Sequence, residues 1–253
     1  MKASRLQPFG SSASLCLSLS SVDSLSSLQL RYESMSDEMS NPILYSFRRC
    51  PYAMRARMIL KLADIKCELR EVRLNNKPEH MLEASPKGTV PVLVLKDKII
   101  DESRDIINWA LNFTDVFEGN IKQDQIDLTE ELVDLFDEKF KYHLDRYKYS
   151  SRYEEVDFEF HRNECLHILM ELEKIISDDN WFFGKTFNKL DILILPFIRQ
   201  YRIADPDWFD SHEDIPKVKR VLMNFLDSNI FKSVMNKYKV WSEDSDTIYF
   251  PYS

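Results

Sequence analysis

The residues with the clearest chemical potential are Arg48-Arg49-Cys50-Pro51, at the junction between the short apolar run Ile43–Phe47 and a segment of helical character. Proline suits the first position of a helix, where its missing N–H would have had no partner. That makes Cys50 the predicted N-cap, beside unpaired amides of the first turn. A thiol in that position meets the positive end of the helix dipole, with two arginines close in sequence. Both effects are expected to favour thiolate, the nucleophilic form. Position 53 is alanine, so no C-x-x-C partner waits one turn on. A mixed disulfide at Cys50 would therefore need an external thiol to resolve it.

The remaining chemistry is sparse. Cys16, Cys67 and Cys165 form no close pair with Cys50 or with one another, and four cysteines in 253 residues do not make a disulfide scaffold. Cys67 is predicted in or before a strand and Cys165 on an apolar helix face, both as inert packing residues. The five histidines lack metal-ligand spacing; His161 and His167, six apart, do not share a helix face. No metal site and no Ser-His-Asp arrangement is expected. A net charge of −8 argues against a general nucleic-acid or anionic-membrane binder, while leaving room for a local basic pocket. No apolar run approaches the roughly 20 residues that span a bilayer.

The elements that must position Cys50 follow from pattern. Residues 1–40 are about one-third serine and have no acidic residue before Asp23. This composition predicts a disordered extension. It is read either as a transit-type segment, implying an organelle, or as upstream sequence before a working start at Met35 or Met39. From Asn41 the pattern becomes regular: strand 43–47, helix 51–62, strand 68–74, short helix 78–84, strand 91–95, a turn at 96–98, strand 99–100 and helix 102–112. The order is βαβ, then αββα. Arg55, Arg57 and Lys61 are read as a solvated helix face. After a polar linker at 114–122 no strand is evident. Leu128, Leu132, Val133, Phe136, Phe140 and Leu144 trace one long helix, and Leu166, Leu169, Leu172 and Ile176 another. Asn188 and Asp191 form a capping box, a folding device, ahead of a helix apolar on all sides that Pro196 should kink. Weaker helices are expected at 215–226 and 230–238, and the tail 241–253 is unassigned.

This arrangement resembles the cytosolic glutathione transferase superfamily, and its cysteine-type, omega-like members in particular. The resemblance covers 41–238. It rests on R-R-C-P-Y-A-M-R-A-R at 48–57, N-N-K-P-E at 75–79, G-T-V-P-V-L at 88–93 and D-E-S at 101–103. It implies an α/β thioredoxin-like domain at 41–113 and an all-α helical bundle at 123–240, with a tail at 241–253. It also implies glutathione as cosubstrate, with no bound cofactor. Cys50 would be catalytic. Tyr52, Lys77, Val90, Pro91, Glu102 and Ser103 would bind glutathione: Val90 through its backbone beside a cis Pro91, Ser103 and the amides around it at the γ-glutamyl carboxylate, Glu102 at its ammonium, and Lys77 at the glycine carboxylate. The implied activity is glutathione-dependent thiol transfer or dehydroascorbate-type reduction on a small electrophilic or disulfide substrate, in a cytoplasmic homodimer. Two alternatives remain open: a non-catalytic binding module on the same fold, and a glutathionyl-hydroquinone reductase. The second substrate is expected near Tyr142, Tyr147 and Trp181–Phe183.

Overall fold

The computed structural model describes residues 41–114, 116–117 and 122–252. The expectations for 1–40, and part of those for the linker at 114–122, lie outside them. Five strands form one sheet in the order β4-β3-β1-β2-β5. β1 (Ile43–Ser46) pairs in parallel with β2 (Cys67–Glu71) and antiparallel with β3 (Val92–Val94), which turns back into β4 (Ile99–Ile100). Successive side chains of a strand leave on opposite faces. Leu44 and Leu93 accordingly join the large core, while Tyr45 and Val92 pack with Met81 and Val72 on the other face.

α1 (Pro51–Leu62) and α3 (Ser103–Leu111) cover the large-core face, and α2 (Glu79–Ala84) contributes Met81 to the other. α1 begins at Pro51 with Cys50 as the extended N-cap. It ends where Asp64 turns left-handed (φ 53°) and Ile65 donates back to the Leu60 carbonyl at 2.9 Å, closing the last turn. The expected strand 68–74 stops at Glu71, and 72–78 is turn and bridge.

The long helix expected through Leu144 runs without interruption from Gln123 to Lys148, as α4 (Gln123–Leu135), a π-helical turn at Phe136–Phe140 and α5 (Lys141–Lys148). α6 (Phe158–Ile175) packs beside α5. In the capping box the Asn188 side chain accepts from the Leu190 and Asp191 amides, and Asp191 Oδ2 accepts from Asn188 N at 2.8 Å. Behind it α7 (Lys189–Arg202) is buried from Leu190 to Ile198 and continues through Pro196 to Arg202. α8 (Pro206–Ser211), α9 (Pro216–Asp227) and α10 (Asn229–Val234) complete the helices; α8 is not anticipated by the sequence pattern. Cys67 and Cys165 are buried, and burial pushes both thiols up, that of Cys67 to about 12.

Two expectations are overturned. The first is that no strand follows the linker: β5 (Tyr249–Phe250) pairs antiparallel with β2. Leu69 N donates to Ile248 O at 2.8 Å, and Trp241 N to Glu71 O at 2.8 Å. The tail thereby covers what would be an open sheet edge. The second concerns Arg55 and Arg57, which are 0% and 1% exposed rather than solvated. The helical half closes over α1 and supplies main-chain acceptors: Arg55 Nε reaches Leu193 O at 2.7 Å, and Arg57 Nε reaches Val234 O at 3.0 Å.

Candidate active site

Cys50 sits where β1 has ended and α1 begins, half-buried on the wall of a cleft of about 940 Å³. Tyr52, Lys77 and Val90 line the same cleft; Gly88 and Thr89 continue its sheet side, and α5 forms the facing wall. The Val90–Pro91 peptide is cis, as is Phe250–Pro251. Gly88 is left-handed (φ +62°), and a β-carbon there would come within 3.3 Å of Leu82 and 3.5 Å of Lys77 Nζ. The glycine of G-T-V-P is thus favoured by its left-handed backbone, with Leu82 and Lys77 packed close around it.

Arg57 organises the approach to Cys50. One Nη donates to the Ser46 hydroxyl and, at 3.5 Å, to the Phe47 carbonyl; the other donates to Arg48 O at 2.7 Å. The main chain entering the thiol is therefore held from below by one buried guanidinium. Burial lowers the Arg57 pKa to about 10, and the charge of Glu71 acts against it.

The expectation of a readily ionised thiol is not met. Burial pushes the Cys50 thiol above its ordinary value, against the amides of Ala53 and Tyr52 and the charges of Arg57 and Lys141, which pull it down. As a thiol, Cys50 donates to the Val90 carbonyl at 3.6 Å, a bond available only to the protonated form. Ionised, the sulfur would turn acceptor toward the two amides. The sequence exposes the helix start and the arginines; it does not reveal how much water tertiary packing around Tyr45, Met81 and Val90 removes.

Other predicted residues divide. Glu102 and Ser103 lie outside the cleft lining. The Glu102 carboxylate accepts from Lys87 Nζ at 2.7 Å on the surface, and Ser103 is buried with its hydroxyl 3.4 Å from Arg55 Nη1. Arg55 also grips Asp137, in the π-helical turn, at 2.7 and 3.0 Å. Its guanidinium stands 5.2 Å from the ring centre of Tyr52 and 4.6 Å from that of Phe197. Tyr147 and Phe182 are core residues and Tyr142 is a surface residue, so the aromatics expected near the second substrate stand elsewhere. The facing wall is instead built by Lys141, Leu144, Asp145, Lys148 and Arg152. The first four, spaced three, four and seven apart, share one face of α5, a signal present in the sequence; Arg152 follows in a 3-10 turn at Ser150–Arg152. Among the described residues no group of three or more His, Cys, Asp or Glu side chains is arranged to hold a metal ion.

A thioredoxin-like sheet, a helical half folded against it and a cysteine at a helix start on the wall of the intervening cleft define the glutathione transferase fold. Residues 44–112 match the family described as glutathione S-transferase, N-terminal domain. Glutathione S-transferase U28 of Arabidopsis thaliana is 28% identical over 188 residues, covering 73% of this chain and 84% of that one. Glutathione S-transferase omega-2 of Rattus norvegicus is 27% identical over 216 residues, covering 77% and 83%. Among solved structures, the Tau class enzyme of mango superposes with a TM-score of 0.67 at 22% identity, covering 78% of this chain and 93% of that one. A Pseudomonas fluorescens family member with two glutathione bound gives 0.66 at 17%, covering 82% and 97%. Glutathione transferase Omega 3C of Trametes versicolor gives 0.65 at 19%, covering 84% and 96%. Over residues 44–112 the chain matches the glutathione S-transferase N-terminal domain, and its fold is that of the glutathione transferases. Among the described residues no helix is long and apolar enough to cross a membrane.

Proposed function

We propose that this protein is a glutathione transferase of the cysteine type, with glutathione as cosubstrate and Cys50 as the atom that exchanges disulfides. The observation that carries the reading is Cys50 itself, the N-cap of α1 on the cleft wall, with two main-chain amides and a buried guanidinium ready to receive its negative charge. In this reading glutathione lies along the sheet side. Tyr52 and the main chain of Val90, beside Pro91, meet its cysteinyl residue, Lys77 its glycine carboxylate, and the Glu102–Ser103 end its γ-glutamyl group. Arg55 supports that end from behind through Ser103.

The chemistry follows from the single thiol. Ionised Cys50 attacks the glutathionyl sulfur of a mixed disulfide GS–S–R. The S–S bond breaks, and RS⁻ leaves with the electron pair and takes up a proton. Free glutathione thiolate then attacks the Cys50–S–SG bond, releasing Cys50 thiolate and glutathione disulfide. The net exchange, GSSR + GSH → GSSG + RSH, reduces the acceptor and oxidises glutathione. An intact-mass measurement after treatment with oxidised glutathione tests this directly. One glutathionyl adduct is expected on the wild type and none on Cys50→Ser; an unmodified wild type, or an adduct that survives the substitution, overturns the reading.

A second reading is favoured by the burial that holds the thiol protonated: a module that binds glutathione without exchanging disulfides. Retention on immobilised glutathione with no adduct at Cys50 would establish it.

A further inference from the structure

The cleft is basic in an acidic protein. Net charge is −8, yet among the described residues the cleft lining carries Arg49, Arg73, Lys77, Lys141, Lys148 and Arg152 against one carboxylate, Asp145. Lys141 already holds that carboxylate in an i,i+4 pair. The other cations make no ion pair among the described residues. Lys148 is central to the helical wall. Its ammonium is half-buried and donates to the side-chain oxygen of Gln200, whose own amide donates to Arg49 O at 2.7 Å. Burial first, and then the guanidiniums of Arg199 and Arg49, lower its pKa to about 8. Arg152 lies over the Tyr149 ring at 4.3 Å, one turn further along the same wall. A half-buried cation such as Lys148, in a like-charge field completed by the exposed Arg49 and Arg152, is relieved by an incoming anion, and the gain is largest where water is thinned.

We propose that this wall selects the second substrate by charge: Lys148, flanked by Arg49 and Arg152, takes the anionic group of a small organic acid whose apolar or aromatic body rests on Tyr149 and Tyr153. The acceptors expected are compounds bearing a carboxylate, sulfonate or phosphate beside the reacting atom. The inference rests on the preceding reading only in calling the occupant a second substrate; the charge preference can be read without turnover.

The experiment is calorimetric titration of the full chain with 2-naphthalenesulfonate and with 2-naphthylmethylammonium, each with and without glutathione. The wild type should bind the sulfonate about tenfold or more tightly than the ammonium compound, with the preference shrinking as salt is raised. Lys148→Met should reduce the preference to about threefold or less, and Lys148→Arg should retain it. Arg152→Gln, at an exposed position, should weaken sulfonate binding in part and serves as the second probe if Lys148→Met fails to fold. Equal or tighter binding of the ammonium compound overturns the proposal. So does a sulfonate affinity unchanged in both Lys148→Met and Arg152→Gln, or sulfonate binding abolished by glutathione, which would assign these cations to glutathione itself. Loss of the Cys50 adduct with the charge preference intact would fault the disulfide-exchange reading alone.

Discussion

At Cys50 two forces oppose one another, and the 3.6 Å approach to Val90 O suits the protonated form. The thiol is a donor at 3.6 Å while burial raises its pKa. Alkylation of Cys50 by iodoacetamide, followed against pH, should therefore inflect above the ordinary thiol value of about 8.5. The rate should still be climbing there; a plateau below pH 7 would show that the amides and Arg57 outweigh burial. Arg57 also bears on the main chain around Cys50. Replacing it with methionine leaves acceptors at Ser46, Phe47, Arg48 and Val234 without their donor. We expect a loss of about 3 kcal/mol or more, read from the denaturant midpoint. In the fraction that remains folded, the alkylation inflection should move further up, because a charge that lowers the thiol pKa is gone.

Among the elements, α7 depends most on its first turn. The Asn188 side chain serves two amides, Asp191 returns the favour to Asn188 N, and Asp191 Oδ1 also accepts from Phe182 N at 3.2 Å. Burial nevertheless raises the Asp191 pKa to about 8. Asn188→Ala should cost about 1–2 kcal/mol, measured by denaturant unfolding, with Cys50 glutathionylation retained. A loss below about 0.3 kcal/mol would mean that the cap is dispensable. The capping box was legible because its two partners lie three residues apart. The π-helical turn at Phe136–Phe140 was not, since its apolar residues continue the ordinary helical pattern. What distinguishes it is Asp137 meeting Arg55, a contact across 82 positions.

For the molecule as a whole, acid sensitivity is built in where α5 meets α6. His143 Nδ1 and His161 Nδ1 are 2.7 Å apart, so one must donate and the other accept. Burial lowers both pKa values, most directly by disfavouring charge; Arg146 works in the same direction at both, and Glu164 opposes. The unfolded chain takes up these protons at about pH 6.5, whereas the folded pair resists them to lower pH. The contribution of this pair to stability is therefore present above pH 6.5 and declines as the pH falls below it. His161→Gln should flatten the slope of the unfolding midpoint between about pH 6.5 and 5; an unchanged slope would mean that the pair does not titrate there.

The sequence by itself determined the order of strands and helices from β1 to α3, the start of α1 at Pro51, the cap of α7 and the family resemblance. Each is written in neighbouring residues, through a fixed proline φ, a period of two or 3.6, or a side chain reaching its own backbone three positions away. Only the tertiary structure decided the rest. Arg55 and Arg57 became buried anchors because the carbonyls of Leu193 and Val234 lie more than a hundred residues away. β5 formed because β2 offered an edge, and two histidines eighteen apart met between helices. The acidity of Cys50 was decided there as well: local sequence sets the dipole and the charges, but packing against side chains distant in sequence, Val72, Met81 and Val90 among them, sets how little water the sulfur sees.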